Sequence, residues 1–158
     1  MTFPRLELKW AFIYTIFLLV WMCVERFLGW HDEKINEHHL YTLFFYLPAI
    51  AIYFIALIDK RNNFYGGIIT YKQAFISGLI LTVFIAILAI PAQIIISEVI
   101  SPYYFKNVIE YAVSSGIASP EEAKELFNLK RYLIQSVVSS LTFGFVITAI
   151  VSAFIKRK

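Results

Sequence analysis

One cysteine, Cys23, stands in 158 residues, so neither an intrachain disulfide nor a Cys-x-x-Cys pair can form. Its apolar neighbours mark it as a small buried hydrophobe. Glycine is scarce as well: the six present build neither a phosphate-cradling loop nor a G-x-S-x-G elbow. Only three histidines occur, and none falls in an H-E-x-x-H pattern. The apolar runs contain no aspartate pair of the kind an intramembrane protease needs. Charged residues make up 16%, where soluble domains carry about a quarter. The net charge of +3 is too small and too spread out for a nucleic-acid partner. These gaps leave catalysis without support. The expectation is a protein that is not an enzyme and takes no cofactor.

What the chain has in excess is apolar surface: 59% apolar and 18% aromatic residues, with a mean hydropathy of +0.69. The excess gathers in four blocks, residues 10–30, 40–58, 73–97 and 132–155. Each reaches or approaches the roughly 20 helical residues that cross a hydrocarbon core. The ten-residue alternation of spanning β-strands is missing. The expected fold is an all-α bundle of four transmembrane helices, one integral membrane domain over residues 1–158. Arg5 and Lys9 ahead of the first block resemble a signal peptide. The uncharged run after them is long and aromatic, and no A-x-A site follows, so the first helix is expected to be retained. Pro48 and Pro91 predict kinks in the second and third helices.

The basic residues give the orientation. One side collects the N-terminus, the middle loop and the C-terminus (Lys156, Arg157, Lys158), eight basic and two acidic residues with a net of +6. The other side collects the first and third loops, with a net of −3. Both termini are therefore expected in the cytoplasm. On the outer side, residues 98–131 read as a short helical hairpin. Pro102 opens its first helix, and Ser114-Ser115-Gly116 breaks it. Ser119-Pro120-Glu121-Glu122 supplies an N-cap, a proline at the first helical position and a capping-box glutamate for the second.

Three constellations stand out. The first is a pair of small-residue ladders at four-residue spacing: Ala74, Gly78, Thr82 and Ala86 in the third span, and Ser136, Ser140, Gly144, Thr148 and Ser152 in the fourth. Small residues let helix backbones approach, so the reading is packing, with a hydroxyl-lined solute path as its rival. The second is a polar cluster at matched depth near the outer ends of the spans: Glu25, Arg26, Tyr46, Gln93, Gln135, Ser136 and Ser139. An ionisable group in lipid is costly, so Glu25 is expected to face the bundle and bond near Gln93 or Gln135. Arg26, about 100° away around the helix, would turn outward. A structural polar cluster is set against a proton site and a ligand-binding mouth. The third is the loop His31, Asp32, Glu33, Glu37, His38, His39. Helical spacing would not by itself converge three ligands there, so the expectation is a solvated acidic loop without a metal.

The residues also resemble a known family. Glu25 with Leu28-Gly29-x-His31-Asp32, Pro48, Gly66-Gly67 and Thr70-Tyr71-Lys72-Gln73-Ala74-Phe75-x-x-Gly78 carry the likeness. Pro102-x-Tyr104-Phe105 and Gln135-Ser136 extend it over nearly the whole chain. The chain is similar to a bacterial membrane family called domain of unknown function 4199, found chiefly in the Bacteroidetes group. Trp30 departs from that pattern, where a smaller apolar residue is expected. The resemblance implies a four-helix inner-membrane protein and no assigned activity. The resulting expectation is a multi-pass inner-membrane module that is structural or partner-binding. Its partners would be membrane lipid and a second copy or another membrane protein. A small transporter or proton-coupled channel component using Glu25 is the alternative. A metal-dependent membrane enzyme using the histidine loop is the third reading.

Overall fold

A computed structural model describes residues 4–157. Lys158, counted above among the C-terminal basic residues, lies outside the described residues. The chain is all-helical. Helix α1 (Arg5–Phe27) is followed by a turn-rich loop, α2 (His38–Tyr41), a 3₁₀ turn (Thr42–Phe45) and α3 (Tyr46–Asn63). Next come α4 (Tyr71–Ile95), a π-helical turn (Ile96–Ile100), α5 (Tyr104–Ser114), α6 (Pro120–Leu126) and α7 (Leu129–Ile155). Four stretches are long and apolar enough to cross a membrane: Arg5–Phe27, His38–Asn63, Tyr71–Ile100 and Leu129–Ile155. At 1.5 Å per residue, the 23 residues of α1 already reach about 34 Å. Large apolar side chains point outward along all four, Phe27 and Phe154 among them. The protein is a multi-pass membrane protein with a largely apolar outer face, and Glu7, Glu25, Lys60, Ser77 and Thr82 are among the polar side chains buried within it.

Local chemistry sets the ends. Thr70 accepts from the backbone N–H of Gln73, and the Gln73 side chain returns to the Thr70 N–H, which starts α4. Ser119 and Glu122 form the same reciprocal pair at α6, with Pro120 at the first helical position. Asn128 caps α7. The middle loop turns through Gly66 and Gly67, both at positive φ. An isolated bridge from Ile69 to Arg157 then fastens that loop to the C-terminal end of α7.

Several boundaries differ from the sequence reading. The first span ends at Phe27 rather than near residue 30, because Gly29 adopts φ +82° and turns the chain. The second runs on to Asn63, because its charged end is paired inside the protein. Asp59 accepts from Trp10 Nε1 at 2.6 Å and Lys9 Nζ at 2.8 Å, and Lys60 Nζ lies 2.8 Å from Glu7 Oε1. Pro48 sits in the first turn of α3, where its missing N–H costs little, whereas Pro91 is inside α4. The hairpin's first helix begins at Tyr104, two residues after Pro102. Cys23 is exposed on the apolar face of α1 rather than buried.

Helix α4 packs most extensively against α7 and next against α1, while α3 reaches both α1 and α7. Gly78 and Gly144 set the α4–α7 approach. A Cβ at Gly78 would strike Thr148, and one at Gly144 would strike Thr82 and the Tyr53 hydroxyl. Ala74, Thr82, Ala86 and Ser152 are buried along the same seam. Ser136 and Ser140, read from sequence as rungs of the packing ladder, instead line a cavity in the other half of the bundle. The closest face-to-face approaches of small residues are Gly78 to Thr148 and Gly144 to Thr82.

Candidate functional site

The α1 C-terminal turn, the following loop, α2 and the π-helical turn converge around Glu25. Gly29 reverses the chain, and the loop then closes through short backbone bonds, Trp30 N–H to Glu25 O and Lys34 N–H to Gly29 O among them. That reversal returns His31 over the helix it has just left. The loop is fixed from above by Asn107 of α5, which donates to the His31 carbonyl at 3.0 Å. Trp30 stacks on Tyr41 with centroids 4.0 Å apart, holding α2 against the loop.

Glu25 is fully buried. Its Oε1 accepts from Trp21 Nε1 at 2.5 Å and from Thr42 Oγ1 at 2.9 Å. Its Oε2 lies 3.2 Å from His31 Nε2 and 3.3 Å from His38 Nδ1. His31 Nδ1 in turn sits 2.5 Å from Ser101 Oγ, at the end of the π-helical turn. A π turn displaces the side chains beyond it relative to an uninterrupted α-helix, and such turns recur at functional sites. Tyr104 packs edge-on against both imidazoles, at 5.4 and 5.3 Å, and its hydroxyl meets that of Tyr132 at 3.3 Å. Burial pushes the Tyr104 hydroxyl above its ordinary pKa, so it remains a neutral donor.

Beside this cluster is a half-enclosed cavity of about 240 Å³. His31 and His38 form part of its wall. Tyr104 and Tyr132 border it, as do Gln93 and Ser97 from the third span, Ser101 just beyond it, and Ser136, Ser139 and Ser140 from α7. Leu18, Phe45, Ile85 and Phe143 supply carbon surface. Among the described residues the lining holds no carboxylate and no lysine or arginine, so the wall presents neutral hydroxyls, an amide and imidazoles.

The residues picked out from sequence divide. Glu25 faces inward, but its partners are not Gln93 or Gln135. Gln93 donates to Ser97 at 3.0 Å within its own helix, and Gln135 is exposed. Trp21 and Thr42 bond one carboxylate oxygen, His31 meets the other at 3.2 Å, and His38 approaches it at 3.3 Å. Arg26 pairs outward with Asp32, both half-exposed. Tyr46, Ser136 and Ser139 lie on the cavity wall without touching Glu25. The loop read as solvated and non-converging is corrected in two of its members: His31 is buried and His38 largely so, while His39 remains exposed. Sequence reasoning missed Trp21, Thr42 and Ser101. Trp21 and Thr42 carry a faint signal: Trp21 precedes Glu25 by one helical turn, and Thr42 follows His38 by one. Ser101 carries none, since its approach depends on the π turn.

In the opposite half lies a second buried polar group. Glu7 Oε1 accepts from Ser77 Oγ at 2.7 Å and faces Lys60 Nζ at 2.8 Å, with Lys60 over the Phe64 ring. Between the two groups the Tyr53 hydroxyl meets Thr82 Oγ1 at 2.9 Å, and Thr82 donates to the Gly78 carbonyl.

A family profile described as "Protein of unknown function (DUF4199)" matches residues 9–157. No curated protein and no solved structure matches the chain.

Proposed function

The chain belongs to this family of proteins of unknown function, and from that premise we propose that it is a non-enzymatic membrane module that binds a small ligand in the cavity beside Glu25. The observation that carries the reading is the cavity itself, about 240 Å³ walled by hydroxyls and aromatic carbon. Ligand sites are typically concave and mostly apolar, with a few placed polar groups. A hydroxyl-rich, uncharged wall suits a small neutral molecule that has hydrogen-bonding groups and an apolar body. The setting proposed for it is a bacterial inner membrane with both termini cytoplasmic, so that the cavity lies in the outer leaflet. Lipid surrounds the bundle, and a second copy or another membrane protein is the partner sought. Mass spectrometry of small molecules extracted from the purified protein tests the reading. One species should accompany the wild type in stoichiometric amount and be lost from Ala89→Phe, which fills the cavity. Equal amounts of lipid or detergent alone in both proteins would overturn it.

The second reading, a proton-coupled transport component, has its own support in the buried Glu7–Lys60 pair. It lies about 27 Å along α1 from Glu25, with the Tyr53–Thr82 hydroxyls between. A pH-gradient response in proteoliposomes that Glu25→Gln abolishes would favour this reading over simple binding.

A further inference from the structure

Glu25, His31 and His38 each offer one ligand atom to a common point, with those atoms all within 4.8 Å of one another. We propose that they form a three-ligand site for a divalent transition ion of zinc's kind, at the wall of the cavity. The distances suit it. Zinc holds imidazole nitrogen at 2.0–2.1 Å and carboxylate oxygen at 2.0–2.2 Å, which sets neighbouring tetrahedral ligands about 3.3 Å apart. The carboxylate lies 3.2 Å from one imidazole nitrogen and 3.3 Å from the other. Only the His31–His38 edge must close, and α2, a single helical turn between a loop and a 3₁₀ turn, is the short element that carries His38.

Three further features are those of a ligand set rather than of a packing cluster. His38 Nδ1 is buried and makes no hydrogen bond of good geometry, although it points at the carboxylate. A buried ring nitrogen left this way is costly unless something occupies it. His31 is held through its far nitrogen by Ser101 Oγ, the outer-shell partner that fixes a metal-binding imidazole's tautomer. A hydroxyl can accept from Nδ1–H as well as donate to Nδ1, so Ser101 accommodates the tautomer in which Nε2 presents its lone pair. Glu25 is oriented the same way, with Trp21 and Thr42 holding Oε1 and Oε2 left to the histidines. Both imidazoles border the cavity, so a fourth coordination position would open into it, as in sites that keep a place for water or a ligand. Among the described residues no second carboxylate lines that space to serve as a general base. The site is therefore read as one for binding rather than hydrolysis. It stands apart from the cavity's occupant, because the ion alone is the probe.

The test is titration of detergent-purified protein, stripped with a chelator, with Zn²⁺ against a chromophoric competitor and with Co²⁺ by absorption. One equivalent per chain is expected, with a four-coordinate Co²⁺ spectrum. Glu25→Gln and His38→Gln should each lower affinity by at least tenfold, and Ser101→Ala by about 10–100-fold. His39→Gln, at an exposed position, should leave it unchanged. Wild-type protein that binds no ion, binds it as strongly after Glu25→Gln, or shows a six-coordinate Co²⁺ spectrum would overturn the proposal. Should the variants misfold, the wild-type spectrum and stoichiometry still decide.

Discussion

Glu25 accepts from Trp21 and Thr42 on one oxygen and faces two imidazoles with the other, so its substitutions should separate by shape and acceptor capacity. Glu25→Gln keeps the outline and one acceptor oxygen, and should change stability by no more than about 1 kcal/mol. Glu25→Leu strands the indole and hydroxyl donors in a buried place, which costs about 1–3 kcal/mol for each group left unpaired. Thermal unfolding in detergent distinguishes the two, and a Leu variant as stable as the Gln variant would refute the argument. At the other end of α1, Lys60→Met leaves the Glu7 carboxylate buried, with Ser77 as its remaining hydrogen-bond partner among the described residues. Breaking such a pair typically costs about 3–5 kcal/mol, whereas replacing both partners with apolar residues is often neutral. The double variant Glu7→Leu, Lys60→Met should therefore unfold at a higher temperature than Lys60→Met. The sequence marks Glu25 as costly in a span. It does not mark Glu7 and Lys60, which read as ordinary charges flanking the membrane until the helices bring them together.

The α4–α7 seam is the interface most sensitive to volume. A side chain at Gly144 meets Thr82 and Tyr53, and one at Gly78 meets Thr148. Gly144→Leu should destabilise by upwards of about 1–3 kcal/mol, the usual cost of overpacking, because neither helix can yield without breaking its own bonds. Val146→Leu, on the exposed face of the same helix, should have little effect, and comparison of their unfolding temperatures checks the assignment. Helix α6 carries a pH-dependent end. The backbone and side-chain bonds with Ser119 hold the Glu122 carboxyl below its ordinary value of 4.5. A depressed carboxyl stabilises the helix above that value and loses the contribution as pH falls through its folded pKa. The protection of α6 amides, relative to the intrinsic exchange rate at each pH, should therefore fall on acidification, and Glu122→Gln should flatten the dependence while keeping the cap. The capping box is legible because Ser-Pro-Glu-Glu places every needed atom within four residues. The π turn is not, since no residue type demands it.

At the scale of the molecule, one span separates the middle loop from the hairpin, and the charge asymmetry of +6 against −3 is the ground for proposing that the middle loop is cytoplasmic and the hairpin outside. With Cys23→Ala as background, a cysteine at Asn63 should resist an impermeant maleimide added outside cells, and one at Ser115 should react. The reverse pattern would invert the orientation. Should it hold, the cavity and its histidines lie in the outer leaflet, with Tyr104 of α5 at the cavity wall, and the Glu7–Lys60 pair lies near the cytoplasmic face.

Composition and hydropathy alone determined the fold class, because a bilayer admits only helices or closed barrels and the chain offers four apolar runs of helical length. They also marked Glu25 as a group needing partners, and the small residues of the third and fourth spans as an interface. Only the tertiary structure decided which partners Glu25 takes and how far the interface extends. Those depend on one glycine turn that folds His31 back onto α1, and on a π turn that carries Ser101 to it. They depend too on the divergent roles of Ser136 and Gly144 two turns apart on one helix. Such outcomes rest on directions in space between segments up to 70 residues apart in sequence, and a linear pattern of residue types does not encode them.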